Sequence, residues 1–224
     1  MLLPSLFSAR VIGRSAILAS IALLAGCGNV PNTLPVQYSP SSVISAEGAV
    51  EVGDFTYEPN KKEAAEQPKP QRYANAGLST SQQASSPNST GSYRAPQIAP
   101  NQIRNTAIGS ILLEKDVKDF VRDATFAELR FIGVKVNGNQ QRRLLTAEVE
   151  EFLADDLGYS VDWTLRIAYV VTDKATQKPV YTQTKETKRR TNKFANFFTS
   201  LNDSIRLSTE ALAKDPDFLS AIQE

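Results

Sequence analysis

The chain predicts an α+β fold: a small antiparallel sheet of four to five strands with two helices packed on one face. Three patterns lead there. In "YSVDWTLRIAYVV", Val161, Trp163, Leu165, Ile167, Tyr169 and Val171 alternate with Asp162, Thr164, Arg166 and Ala168. A period of two with one apolar side is a strand with one buried face. Val117, Phe120, Val121, Ala124 and Ala127, joined by Phe131, recur at helical spacing instead. Phe194, Phe197, Phe198, Leu201, Ile205 and Leu212 form a second helical stripe. One-sided helices and one-sided strands bury their apolar surfaces against each other, which makes a two-layer domain.

The composition allows such a core and excludes several chemistries. Of 224 residues, 41% are hydrophobic and 22% charged, and the formal net charge is +1. Residues 1–26 hold Arg10 and Arg14 and no acid. Their removal leaves 23 basic against 24 acidic residues, a charge of −1. That balance argues against nucleic acid as a ligand, because neutralising its backbone needs a basic surplus. The chain has no histidine and one cysteine. Ser-His and Cys-His nucleophile pairs, histidine metal sites, internal disulfides and CxxC sites are therefore excluded. No cofactor or metal is expected.

The first element is a leader. Arg10 and Arg14 precede the apolar run Ser15–Ala25, about half the roughly 20 residues that a membrane-crossing helix needs. A basic start, a short apolar stretch and small residues at its end describe a cleaved secretory signal over 1–26. "Leu24-Ala25-Gly26-Cys27" looks like a bacterial lipobox, in which the cysteine is acylated and becomes the first mature residue. Several acyl chains anchor stably where one does not. Gly28 follows where an Asp would stand in an inner-membrane lipoprotein. By resemblance to bacterial lipoproteins, this directs the chain to the outer membrane, facing the periplasm.

Residues 27–46 then read as the lipidated cysteine and a flexible tether, and 47–222 as one domain. "GAVEVGDFTYEP" shows strand chemistry, with Gly53 placed to mark a bulge. Residues 60–103 are dense in Pro, Ser, Gln and Asn and read as a disordered insertion, with Tyr73 and Tyr93 as isolated aromatics. Ile108 and Ile111–Leu113 suggest a short strand. Asp116 can cap the first helix, and Gly133 can close it in a left-handed conformation. "Val134-Lys135-Val136" begins another strand. "RRLLTAEVEEFLADDLG" is open between two readings. Ala and Glu favour a helix, while Leu145, Ala147 and Val149 alternate as in a strand, with a bulge near Glu150–Glu151. "TDKATQKP" is the turn of a hairpin whose second strand is "VYTQTKETK". Asn192 can cap the last helix, Asp215-Pro216 breaks it, and "DFLSAIQ" is one more short turn.

Candidate sites are few. "KETKRRTNK" gathers Lys185, Lys188, Arg189, Arg190 and Lys193, a possible contact for lipid headgroups, peptidoglycan carboxylates or an acidic partner. The alternative is a solvated strand edge that discourages aggregation. Asp155 and Asp156, with Glu148, Glu150 and Glu151, could suggest an acid–base or metal site. Neighbours on a strand point to opposite faces, however, and the spacing fits no calcium loop. Trp163 belongs to the core by its place in the alternation.

The order of lipobox, "VGDFTY", "ILLEKDVKDFVRDATFAELRFIGVKV" and "AEVEEF…DWTLRIAYVVTDKATQKPVY" resembles the YajG-like and ABC-transport auxiliary bacterial lipoproteins, over roughly 48–58 and 100–215. The insertion at 60–103 departs from shorter members. The resemblance implies a strand over 143–153 and a hairpin at Asp155–Gly158. The function expected is a non-enzymatic envelope lipoprotein, held in the membrane by Cys27, that acts as an accessory or binding module for an envelope protein or a lipid. A lipid-binding transport component and a peptidoglycan-synthesis activator are the alternatives.

Overall fold

A computed structural model of the protein describes residues 33–61, 97–136 and 141–223. Their elements run β1 (Glu51–Tyr57), β2 (Gln102–Asn105), β3 (Gly109–Leu112), α1 (Val117–Phe131), β4 (Arg143–Asp155), β5 (Ser160–Asp173), β6 (Lys178–Asn192), α2 (Phe197–Ala213) and α3 (Pro216–Ile222).

The six strands make one sheet, larger than expected and mixed, ordered β3-β2-β4-β5-β6 with β1 also paired to β4. The β4–β5 and β5–β6 pairs are antiparallel, as hairpins require. β1 and β2 both run parallel to β4. That corrects the all-antiparallel expectation. β3 runs back beside β2 and α1 follows it, and a connection of that length between β2 and β4 lets β4 take the direction of β2. β1 pairs with the first half of β4 and β2 with its last residues, so two short strands share one edge of β4.

β4 is a strand throughout, which closes the open reading of 143–155. Its register shifts between Val149 and Glu151. This bulge turns Phe152 back to the buried face with Leu145, Ala147 and Val149. β1 bulges between Val52 and Phe55, around Gly53. α1 begins after Asp116, whose side chain makes no capping bond, and gives way beyond Ile132 to Gly133 at φ 108°. A side chain there would be strained in its backbone and would meet the Ala46 carbonyl at 3.0 Å.

The last helix starts later than expected. β6 continues to Asn192, held opposite Ser160, and Asn196 is the cap instead, accepting from the Thr199 N–H at 3.2 Å. Phe194 therefore leaves the helical stripe and stands exposed. The expected short turn after Pro216 is the helix α3, which buries Phe218 and Ile222.

Helices cover one face of the sheet. α1 packs on β1 and α2, and α2 on β5 and β6. Between them lie Phe152, Leu165, Ile167, Tyr169, Leu201, Ile205 and Leu212, none more than 2% exposed. Ser200, Ser204, Ser208 and Thr209 line the buried side of α2. Ser204 and Thr209 satisfy their hydroxyls on carbonyls four residues back, at 2.9 and 3.1 Å. Ser208 meets the Tyr169 hydroxyl at 3.1 Å. Burial pushes the Tyr169 hydroxyl up to about 12. Among the described residues, no helix is long and apolar enough to cross a membrane.

Candidate functional site

The basic run does not form one surface. Strand alternation sends its members to two faces, and each finds an acid. On the helix side, Lys185 Nζ lies 2.5 Å from Asp215 Oδ2, and Arg189 pairs with Asp203 of α2. On the open side, Lys188 lies 2.8 Å from Glu186, and Arg190 grips both oxygens of Asp162 at 2.6 and 2.8 Å. Lys193, in the loop beyond β6, lies 3.2 Å from Asp156. The hydrogen bond from Lys185 holds the Asp215 carboxyl below the usual carboxylate range, and Tyr181 adds a second at 2.9 Å. Lys185 and Arg189 thus tie β6 to the helices.

The carboxylates do not converge either. Glu148 is paired with Lys61 at 2.6 Å, and Asp155 accepts from the Thr106 hydroxyl at 2.8 Å. Glu150 and Glu151 both engage Arg166, at 2.8 Å each, and Glu186 approaches it at 3.4 Å. Among the described residues no three acidic or sulfur side chains group to hold a metal. Trp163 is core, as expected. Its indole N–H donates to Thr191 Oγ1 at 3.1 Å, and its ring packs on Phe197 with centroids 5.1 Å apart.

Two features were not anticipated from the sequence. The first is a strap. The tether expected over 27–46 is seated from Leu34 onward, where Leu34 N–H donates to Leu112 O at 2.9 Å. Val36, Tyr38 and Ile44 pack against the core, and Ala46 is buried in it. The clasp is Glu128 of α1, fully buried, which accepts from Tyr38 Oη at 2.5 Å and from the Ser42 N–H at 2.7 Å. Ser42 Oγ donates to buried Glu210 of α2 at 2.9 Å. Desolvation, and then the bond to Glu128, push the Tyr38 hydroxyl far above its usual range. The signal was legible in principle: Val117, Val121, Ala124 and Glu128 fall on one stripe, so a carboxylate stood on the apolar face.

The second is a cleft of about 180 Å³ where the shared edge of β4 is open between β1 and β2, lined by Tyr57, Pro59, Arg104, Glu150, Glu151, Phe152 and Leu153. Burial pushes the Tyr57 hydroxyl up to about 12, and it donates to Gln102 O at 3.0 Å. The chain leaves the sheet here. Asn60 closes the gap, donating to Ile98 O at 2.9 Å and accepting from Ile98 N–H at 3.0 Å. Ile98, inside the expected 60–103 insertion, is therefore part of the fold, and Ile103 is fully buried. Residues 62–96, with Tyr73 and Tyr93, lie outside the described residues, as does Cys27.

No family model matches the chain, and no curated protein does. The resemblance to YajG-like and transport-auxiliary lipoproteins thus has no counterpart in sequence comparison. Several solved structures are similar. A Xanthomonas campestris protein described as DUF330 matches at 9% identity and a TM-score of 0.49, covering 85% of this chain and 95% of its own. The PelC dodecamer subunit of Paraburkholderia phytofirmans matches at 12% identity and a TM-score of 0.36, covering 84% and 96%. A candidate lipoprotein of Caulobacter crescentus matches at 11% identity and a TM-score of 0.30, covering 45% and 77%. At these values function has to be read from this chain's own residues.

Proposed function

We propose that this chain is a non-enzymatic bacterial envelope lipoprotein, acylated at Cys27, held in the outer membrane and facing the periplasm, where it serves as a binding module for another envelope component. The observation that carries this reading is the ending of the leader: an apolar run of 11 residues closes on Leu24-Ala25-Gly26-Cys27. Gly28, with no Asp after the cysteine, supports the outer membrane. A binding role rather than turnover is supported by the absence of histidine from the sequence and by the charged groups engaging one another in pairs.

A lipid-carrier role is the weaker reading. It needs an apolar cavity between helices and sheet, whereas that space is occupied by Phe152, Leu165, Tyr169 and Ile205.

Metabolic labelling with an alkyne fatty acid tests the anchor. The native chain should take label and sediment with outer membranes. Cys27→Ser should lose the label and appear in the soluble periplasmic fraction. Unchanged labelling of that variant would sink the reading. Turnover of a lipid or peptidoglycan substrate by the purified protein would overturn the non-enzymatic part.

A further inference from the structure

One end of the sheet is unlike the rest of the surface. The strand order places side by side the β2–β3 turn, the β4–β5 turn and the segment after β6. The registers agree: Asn105 lies opposite Ala154, Asp155 opposite Asp162, and Ser160 opposite Asn192. Each of these connections carries large apolar side chains into solvent. Ile108 is 73% exposed, Leu157 75%, Phe194 96% and Tyr159 completely. Single exposed apolar residues are ordinary, but four gathered on adjoining loops mark an interaction site.

The loops are braced to one another. Thr106 Oγ1 donates to Asp155 Oδ1 at 2.8 Å and accepts from the Asp156 N–H at 2.7 Å. Lys193 Nζ pairs with Asp156 at 3.2 Å and reaches the Gly158 carbonyl at 3.4 Å. The backbone beneath the apolar side chains is therefore held, while the side chains themselves project. Separate apolar tips on braced turns suit a fluid apolar phase, and a Tyr among them suits the interface of a bilayer.

The path of the chain gives the second argument. Leu34 pairs parallel with Leu113, so the strap runs away from the β2–β3 turn and Leu34 is its end nearer that turn. Five residues separate Leu113 from Ile108, roughly 17 Å along a strand at about 3.3 Å per residue. Seven steps from Leu34 back to Cys27 span at most roughly 25 Å. An acylated Cys27 can thus lie level with the tip.

We infer that Ile108, Leu157, Tyr159 and Phe194 form a membrane-contacting tip that dips into the leaflet holding the chain's own anchor. The choice of leaflet rests on the Cys27 reading; the affinity of the tip for lipid does not. The mature chain, residues 27–224 with Cys27→Ser, should float with phosphatidylcholine vesicles, and added salt should leave the binding unchanged. Leu157→Asp and Phe194→Asp should each weaken it about tenfold, with thermal unfolding unaltered. An environment-sensitive dye on Leu157→Cys should shift to the blue with vesicles, and the same dye on Thr182→Cys, on the open face of β6, should not. No flotation, flotation that survives both Asp substitutions, or equal shifts at the two dye positions would overturn the inference. So would a dimer that Leu157→Asp dissolves in a chain that does not float. These results are independent of labelling at Cys27, so the anchor and the tip can fail separately.

Discussion

Both faces of the β5–β6 hairpin carry basic residues of β6, yet those residues do different things. Toward the helices, Trp163, Leu165, Ile167 and Tyr169 fill the core, and Lys185 and Arg189 reach acids on the helical layer. Toward solvent, Asp162, Thr164 and Arg166 lie beside Glu186, Lys188 and Arg190, and their ion pairs stay within the sheet. Arg189 and Arg190 are adjacent in sequence and opposite in role. A charge that joins two layers must be partly dehydrated, and one that decorates a face need not be. What a basic residue contributes on this strand is therefore set by the parity of its position.

Substitution of an apolar residue should expose the contrast most sharply. Leu165 is fully buried, and Leu165→Ala should cost about 2–5 kcal/mol in urea unfolding, through lost transfer energy and a cavity. Thr164→Ala, next to it on the open face, should change stability by less than about 0.5 kcal/mol. Comparable losses at the two sites would break the distinction between the faces.

The helical layer has its own outer covering, the strap, and Glu128 is where it is fastened. Glu128→Ala removes the acceptor of Tyr38 and Ser42 and should cost about 2–3 kcal/mol. The signature should be local. Hydrogen exchange and proteolysis should increase over residues 34–46 while β5 and β6 remain protected. Uniform loss of protection would mean that the strap is part of the core rather than a cover on it.

Much of this contrast was legible in the sequence, and what was not has a common cause. β5 was plain because nothing interrupts its period of two. β4 was ambiguous because the bulge before Glu151 breaks the period and its Ala and Glu residues lean helical. β2 was hidden because four residues in a Pro- and Asn-rich setting carry no period, and its partner Leu153 is far along the chain. The parallel pairings of β1 and β2 were invisible for the same reason. Asn192 and Asn196 are equally good caps in isolation; pairing with Ser160 decides between them. At the basic run the residue types were legible and their acidic partners were not. Lys185 finds its acid thirty positions on, at Asp215, and only the packing of α3 brings the two together.

That pair gives a pH test. Asp215 has its pKa lowered from 3.8 in the folded chain, chiefly by the bond from Lys185. Its stabilising contribution is complete above the unfolded value and is lost as pH falls through the lower folded one. Asp215→Asn keeps an oxygen to cap Asp217 N–H but loses the charge. It should cost about 1–2 kcal/mol at pH 7. The gap between the native chain and the variant should narrow only below pH 3.8. A gap that closed near neutrality would remove Asp215 as its source.

The smallest effect is expected at Arg190, and it is the most discriminating because the geometry there looks strongest. Arg190 holds Asp162 with two bonds, and this lowers the Asp162 pKa. Yet the two side chains are 73% and 46% exposed, against 29% and 19% for Arg189 and Asp203. Water and salt screen the first pair far more than the second, and exposed pairs contribute little whatever their geometry. Arg190→Ala should leave the unfolding midpoint where it is at moderate salt, while Arg189→Ala should lower it. The order is what matters, since both substitutions remove one arginine from one strand. A larger loss at Arg190 would mean that the open face is covered in the working protein, and that dehydration, not parity, had been assigned to the wrong side of the sheet.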